Sequence, residues 1–123
     1  MLAGGTDILH IDPELDGGIT GTIKLAQFCD AIGMEVQLHT GGGPAHRHCM
    51  AAITNTHFYE LGLVRPDKAW NGLQPPIYAD DYGDQIDNVG ADGCVPVPDG
   101  PGLGVVYDWD KINAWETARQ VFE

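Results

Sequence analysis

Hydrophobic and polar residues alternate along "MEVQLH" (34–39), where Met34, Val36 and Leu38 point one way and Glu35, Gln37 and His39 the other, as in a half-buried strand. A second such segment, "DILHID" (7–12), is rich in branched residues and stops at Asp12 and Pro13. Between them the period changes. After the turn "PELDGG", residues 20–33 carry Ile23, Ala26, Phe28, Cys29 and Ile32 broadly along one helical stripe, with Thr20 as the predicted cap and Gly33 as the predicted terminator. Past "TGGG", Pro44 suits the first turn of a helix through "AHRHCMAAI". "THFYELGLV" (56–64) then predicts a third strand, with Phe58 and Glu60 on one side and His57 and Tyr59 on the other. The order β-α-β-α-β implies parallel strands, in an open α/β layer or in part of a barrel.

Residues 1–77 thus read as a partial sheet-and-helix unit and 78–123 as a tail, joined through a turn-rich stretch from Trp70 to Pro76. In the tail, "VPVPDGPGLGVVYDWD" (95–110) predicts a tight extended crossing that sets Leu103, Val105 and Val106 against the preceding unit, and "KINAWETARQVF" (111–122) a last helix. Two helices cover only part of a three-stranded parallel sheet, and such sheets are normally buried on both faces. The row Glu35, Gln37 and His39 is also polar for a complete small core. Either the tail supplies a second layer, or the chain is a piece of something larger.

The 123 residues and 43% hydrophobic content suit one packed unit rather than a disordered chain. Six Lys plus Arg against 18 Asp plus Glu give a net charge of -12, which opposes attraction to a nucleic-acid backbone or an anionic membrane. Cys29, Cys49 and Cys94 are widely separated and form no CxxC pair, so reduced thiols are expected rather than a disulfide framework or a thiolate zinc site. "MLAGGTDILH" has no basic leader, and no segment reaches the length of a membrane span, so a soluble, cytoplasmic protein is expected.

Asp12, His39 and Glu60 fall at or near the C-terminal ends of predicted parallel strands, where α/β sheets and barrels assemble their sites. A carboxylate beside a histidine makes it a better base and fixes its tautomer, which suits proton abstraction next to a carboxylate group. The competing bland readings are a turn cap for Asp12, a satisfied strand-end histidine for His39 and a solvated flank for Glu60. In "TGGGP", Gly41 and Gly42 are candidates to present backbone N–H groups to a substrate anion, with His46 and Arg47 flanking the same pocket. No GK[ST] follows, and GxGxxG is absent from this junction, so neither a P-loop nor a dinucleotide site is indicated. His46 and His48 lie two apart and share no helix face, which disfavours a metal pair. His57 reads as a core histidine or as support behind Glu60. The run Asp80, Asp81, Asp84, Asp87 and Asp92 lacks EF-hand spacing and reads as a solvated surface, with Tyr78, Tyr82, Trp109 and Trp115 as packing anchors.

Taken in order, "DILHIDPELDGGIT", the strand-ending His39, "NTHFYE" and "VPVPDGPGLGVVYD" resemble the C-terminal part of the mandelate racemase and muconate-lactonizing branch of the enolase superfamily. The resemblance implies that 7–12, 34–39 and 56–61 are the sixth to eighth strands of a (β/α)7β TIM-like barrel, with a tail that packs on an N-terminal capping domain. It implies further that Asp12 and His39 form the acid–base dyad, and that Glu60 contacts the substrate carboxylate and donates a hydrogen bond to the enediolate. The implied activity is that of a Mg²⁺-dependent acid-sugar dehydratase, with racemisation or epimerisation of a 2-hydroxy acid as the alternative. Members of the family carry their metal carboxylates on the third, fourth and fifth strands, which this sequence does not contain, and a full barrel needs about 250 residues. The isolated chain is therefore expected to be an inactive piece or a noncatalytic remnant. Its expected partners are further copies of itself or a missing N-terminal half.

Overall fold

The computed structural model describes residues 3–39, 43–61, 77–80, 82–84 and 86–121. Two parallel strands, β1 (Ile8–Ile11) and β2 (Glu35–Leu38), pair in the register Ile8 to Glu35 and Ile11 to Leu38. They are joined by helix α1 (Gly18–Ala31), and α2 (Pro44–Ala52) follows β2. The core lies where helices meet sheet, and is built from Ile11, Ala26, Cys29, Val36, Leu38 and Cys49 with Leu9, Ile23, Leu25, Met34, Met50 and Ile53 around them. The alternation read in 34–39 holds: Val36 and Leu38 are buried while Glu35 is exposed.

The first helix differs from expectation in its start and its buried face. It begins at Gly18 behind Gly17 in the left-handed conformation, so Thr20 lies inside the first turn and does not cap it. Thr22, Ala26 and Cys29 face the core, spaced four and three residues apart. Phe28 sits about 200° around the helix from Ala26 and is 42% exposed. Gly33 closes the turn as expected, at φ 71 with its N–H donating to Asp30 O. Gly21 permits a close approach: a Cβ there would run into the Asp16 carbonyl oxygen of the preceding turn. Gly21→Ala is expected to destabilise the chain by about 2 kcal/mol despite the better helix propensity of alanine. Urea unfolding followed by circular dichroism measures this, and an unchanged midpoint would contradict it.

Residues 56–61 form no strand, a departure from the third strand predicted over 56–64; positions 62–64 lie outside the described residues. The reason is visible in the hydrogen bonds. Val36 N–H donates to Asn55 O, while the Asn55 side-chain amide donates to Ala26 O and Met34 O, anchoring the chain beside β2. Beyond that point the side chain of His57 meets Glu35 at 3.1 Å and that of Tyr59 meets the tail. The sheet among the described residues therefore has two strands.

In the tail, Tyr78 and Tyr107 form an antiparallel bridge, flanked by bonds from Ala79 N–H to Val106 O and from Asp108 N–H to Ile77 O. A 3₁₀ turn spans Ile86–Asn88. The last helix, α3, runs Trp109–Ala114 rather than 111–122, because Asp108 caps it by accepting from Lys111 N–H and so moves its start upstream. None of its residues is buried, so packing does not extend it. Of the predicted anchors, Tyr78 and Tyr82 meet edge to face at 4.8 Å between ring centres, whereas Trp109 and Trp115 are exposed. Val106 is also exposed, whereas Leu103 and Val105 are half-buried.

Candidate active site

The register of the two strands places the candidate dyad. Ile11 and Leu38 are partners, and His39 N–H donates to Ile11 O at 2.9 Å, so Asp12 and His39 emerge side by side at the C-terminal end of the sheet. Side chains alternate across a strand, so Asp12 shares a face with His10, and His39 with Gln37. Along the strands this is the face opposite the core residues Leu9, Ile11, Val36 and Leu38, and at the strand end Asp12 also comes within reach of α2.

His39 Nδ1 stands 3.5 Å from Asp12 Oδ2, and His46 Nε2 stands 3.2 Å from Asp12 Oδ1. Asp12 also organises the turn after β1. Its Oδ1 accepts from Glu14 N–H at 2.7 Å, its own N–H donates to Asp16 Oδ2 at 2.7 Å, and its carbonyl accepts from Leu15 and Asp16 N–H. Asp12 thus caps the turn while its carboxylate faces both histidines. An ionised carboxylate only accepts, so each imidazole must present N–H to it. For His39 this puts hydrogen on Nδ1 and leaves the lone pair on Nε2, in a ring that is 53% exposed. The 3.5 Å separation is at the outer limit of a hydrogen bond, and such bonds are often long in unliganded sites.

The other predicted site residues are placed differently. Glu60 is half-buried on the extended segment after α2. Gly41 and Gly42 lie outside the described residues. His46, expected at the pocket's rim, is 1% exposed and acts as the buried partner of Asp12.

Arg47 departs furthest from the pocket-lining expectation: it is 3% exposed and faces the tail. Its Nε donates to Asp84 Oδ1 at 2.9 Å, Nη1 to Pro96 O at 2.9 Å, and Nη2 to Gly83 O and to Asp84. Its guanidinium carbon also lies 4.6 Å from the centre of the Tyr82 ring. Asp84, expected on a solvated surface, is 4% exposed and accepts from Tyr59 OH as well. His48 and His57 depart too, with His48 Nε2 3.1 Å from Leu103 O and His57 paired at the surface with Glu35.

Burial, followed by the charge of Asp84, holds the Tyr59 and Tyr82 phenols above their ordinary range. Burial, then Tyr107 and Asp84, pushes Tyr78 from 10.0 up to about 12. Phenols raised on folding add stability that is complete below about pH 10 and is lost as pH rises through the folded-state values. Tyrosinate absorbance is therefore expected to lag in the folded chain relative to the chain in urea. Loosening of the tail should occur above about pH 10, reported by Trp109 fluorescence through its neighbour Tyr107. Coincident titrations with and without urea would contradict this.

The contact of His46 with Asp12, expected instead at the pocket's rim, and the place of His10, not singled out in the sequence, both had a readable signal. His46 is the third residue of a helix whose start Pro44 fixes, and helical side chains lean toward the N-terminus, here toward the strand ends. His10 lies two residues before Asp12 on the same face, and its ring centre is 6.0 Å from that of His39. Among the described residues no group of three or more His, Cys, Asp or Glu is arranged to hold a metal ion. Asp12, taken up by Glu14 N–H and two imidazoles, does not fit the near-octahedral oxygen cage of Mg²⁺.

Comparison with known proteins bears on the family. Residues 1–111 match the model of the enolase C-terminal domain-like family. The chain is 30% identical over 111 residues to a D-gluconate dehydratase from Thermoproteus tenax, covering 88% of this chain and 20% of that protein. The crystal structure of an isomerase from Streptomyces coelicolor A3(2) superposes with a TM-score of 0.57 at 26% identity, covering 91% of this chain and 28% of that one. The chain thus spans less than a third of the length of either relative. On the match over residues 1–111, the chain belongs to the enolase C-terminal domain-like family of the enolase superfamily.

Proposed function

We propose that this chain is the base-bearing segment of an acid-sugar dehydratase-like enzyme. The observation that carries the reading is the side-by-side emergence of Asp12 and His39 from adjacent parallel strands, with His39 Nδ1 facing Asp12 Oδ2 and the ring half exposed. In this reading His39 Nε2 takes the proton on the carbon alpha to the substrate carboxylate, and Asp12 orients the ring and balances the imidazolium that forms. The C–H electron pair passes into an enediolate. Its collapse breaks the bond to the beta hydroxyl, which leaves as water on taking the proton back from the His39 imidazolium, and the enol of a 2-keto acid remains.

Glu60 is assigned to the substrate carboxylate and the developing enediolate. Gly41 and Gly42 are assigned to the loop at the pocket's mouth. Arg47 takes no part, because its donors are engaged by Asp84, Gly83 and Pro96. Mg²⁺ does not fit the described residues and is assigned to carboxylates outside this segment, so no step here is routed through it. Racemisation or epimerisation is the second reading, favoured by the similarity to a structure titled an isomerase; it shares the first proton transfer and returns a proton to the opposite face.

The 123-residue chain alone is expected neither to bind Mg²⁺ tightly nor to turn over an acid sugar. Calorimetric titration with Mg²⁺ and a 2-keto acid assay on the mass-verified chain test this. Substantial turnover would overturn the assignment of the metal to another segment.

A further inference from the structure

We propose that His46 is a positioning residue for the base, fixing the carboxylate of Asp12 so that its second oxygen holds His39 in the tautomer with Nε2 bare. This rests on the reading of Asp12 and His39 as the dyad and extends it to three residues in the order His46, Asp12, His39. His39, half exposed and 3.5 Å away, is too loosely held to set the orientation of the carboxylate itself. Glu14 N–H and His46 Nε2 both converge on Asp12 Oδ1, at 2.7 and 3.2 Å. Together they fix the carboxylate plane and leave Oδ2 aimed at His39 Nδ1.

His46 is suited to this task because it does not move freely: it is 1% exposed in the first turn of α2, one residue before the Arg47 anchor. Its Nδ1 is buried without a hydrogen-bond partner among the described residues. An apolar side chain of similar volume would sit there with no orphan nitrogen, so what the imidazole contributes is the contact with Asp12. Among the described residues, Glu14 and Asp16 on the turn and His10 on β1 are titratable groups in contact with Asp12 or His39. None replaces the donor: Glu14 acts through its backbone N–H, the Asp16 carboxylate accepts from Asp12 N–H, and the His10 ring stands beside that of His39.

The test is a set of two-bond ¹H–¹⁵N histidine spectra of the 123-residue chain, His46→Leu and His46→Gln, recorded at mildly alkaline pH. His10, His48 and His57 report on the fold. His39 is expected to show the Nδ1–H tautomer in the chain itself. Its ratio of Nδ1–H to Nε2–H should fall about five-fold in His46→Leu, the effect of losing one ordinary hydrogen bond, and recover in His46→Gln, whose amide donates in the same place. Four results overturn the proposal: no Nδ1–H tautomer at His39 in the parent chain, an unchanged ratio in a folded Leu variant, a Gln variant that behaves as Leu does, or loss of fold in both variants, which assigns His46 to packing alone. If only the Leu variant unfolds, the Gln variant decides, and retention of the Nδ1–H tautomer supports the positioning role. Alpha-proton exchange is not part of this comparison, so failure of the base reading and failure of the His46 role are seen separately.

Discussion

Asp84→Asn is expected to cost about 3–5 kcal/mol, because it leaves the Arg47 guanidinium buried without its counter-charge. Burial opposes the charge on Arg47, and the Asp84 carboxylate more than offsets this, holding the guanidinium above its usual range. Small domains have about 5–15 kcal/mol in total, so the loss is a large share of what keeps the tail in place. Tyr59 OH and the Tyr82 ring lean on the same pair, so their packing should loosen with it. Urea unfolding combined with limited proteolysis of residues 77–121 reads both effects. The expected pattern is a lowered midpoint with cleavage that begins in the tail. The double variant Arg47→Met with Asp84→Leu should regain most of the loss, since a buried pair replaced as a unit by apolar groups is often neutral. A change under about 1 kcal/mol for Asp84→Asn would mean that the pair is no stronger than an ordinary surface bridge.

The second large effect concerns chemistry. Asn at position 39 retains an amide of similar reach but has no basic lone pair to accept a proton from carbon. In a folded protein that carries this segment with a metal-bearing half, His39→Asn should lower alpha-proton exchange by about 10²–10⁴-fold, the range for loss of a general base. Substrate binding should remain measurable, because the group lost acts in the transition state and not in holding the ground state.

How far the sequence reveals this arrangement depends on the element. The alternation in 34–39 and the branched run in 7–12 report a local period, so both strands follow directly from it, whereas the side-by-side ends at Asp12 and His39 depend on the pairing register of the sheet. The same alternation in 56–61 misleads, because strand formation there depends on where the Asn55 amide anchors the chain, a contact with Ala26 and Met34 that no local pattern encodes. Asp84 and Arg47 illustrate the same limit. An acidic residue in an acidic run reads as solvated, and only the return of the tail onto α2, 37 residues away in sequence, makes it a buried partner. His46 and Arg47 are neighbours in sequence that turn about 100° apart on the helix, one toward the strand ends and the other toward the tail. A pattern of histidines around glycines suggested one pocket for both, and helix geometry separates them.

The most direct test of the base assignment is solvent-deuterium exchange at the alpha carbon of D-gluconate. The protein is a chimera in which the 111 matched residues of this chain replace their counterparts in the Thermoproteus tenax D-gluconate dehydratase, with folding checked first by circular dichroism. Proton nuclear magnetic resonance in deuterium oxide follows loss of the alpha-proton signal. The account predicts exchange by the folded chimera and its loss in the equally folded His39→Asn chimera. Exchange that continues undiminished without His39, or a folded chimera that exchanges nothing, would contradict the assignment of His39 as the base.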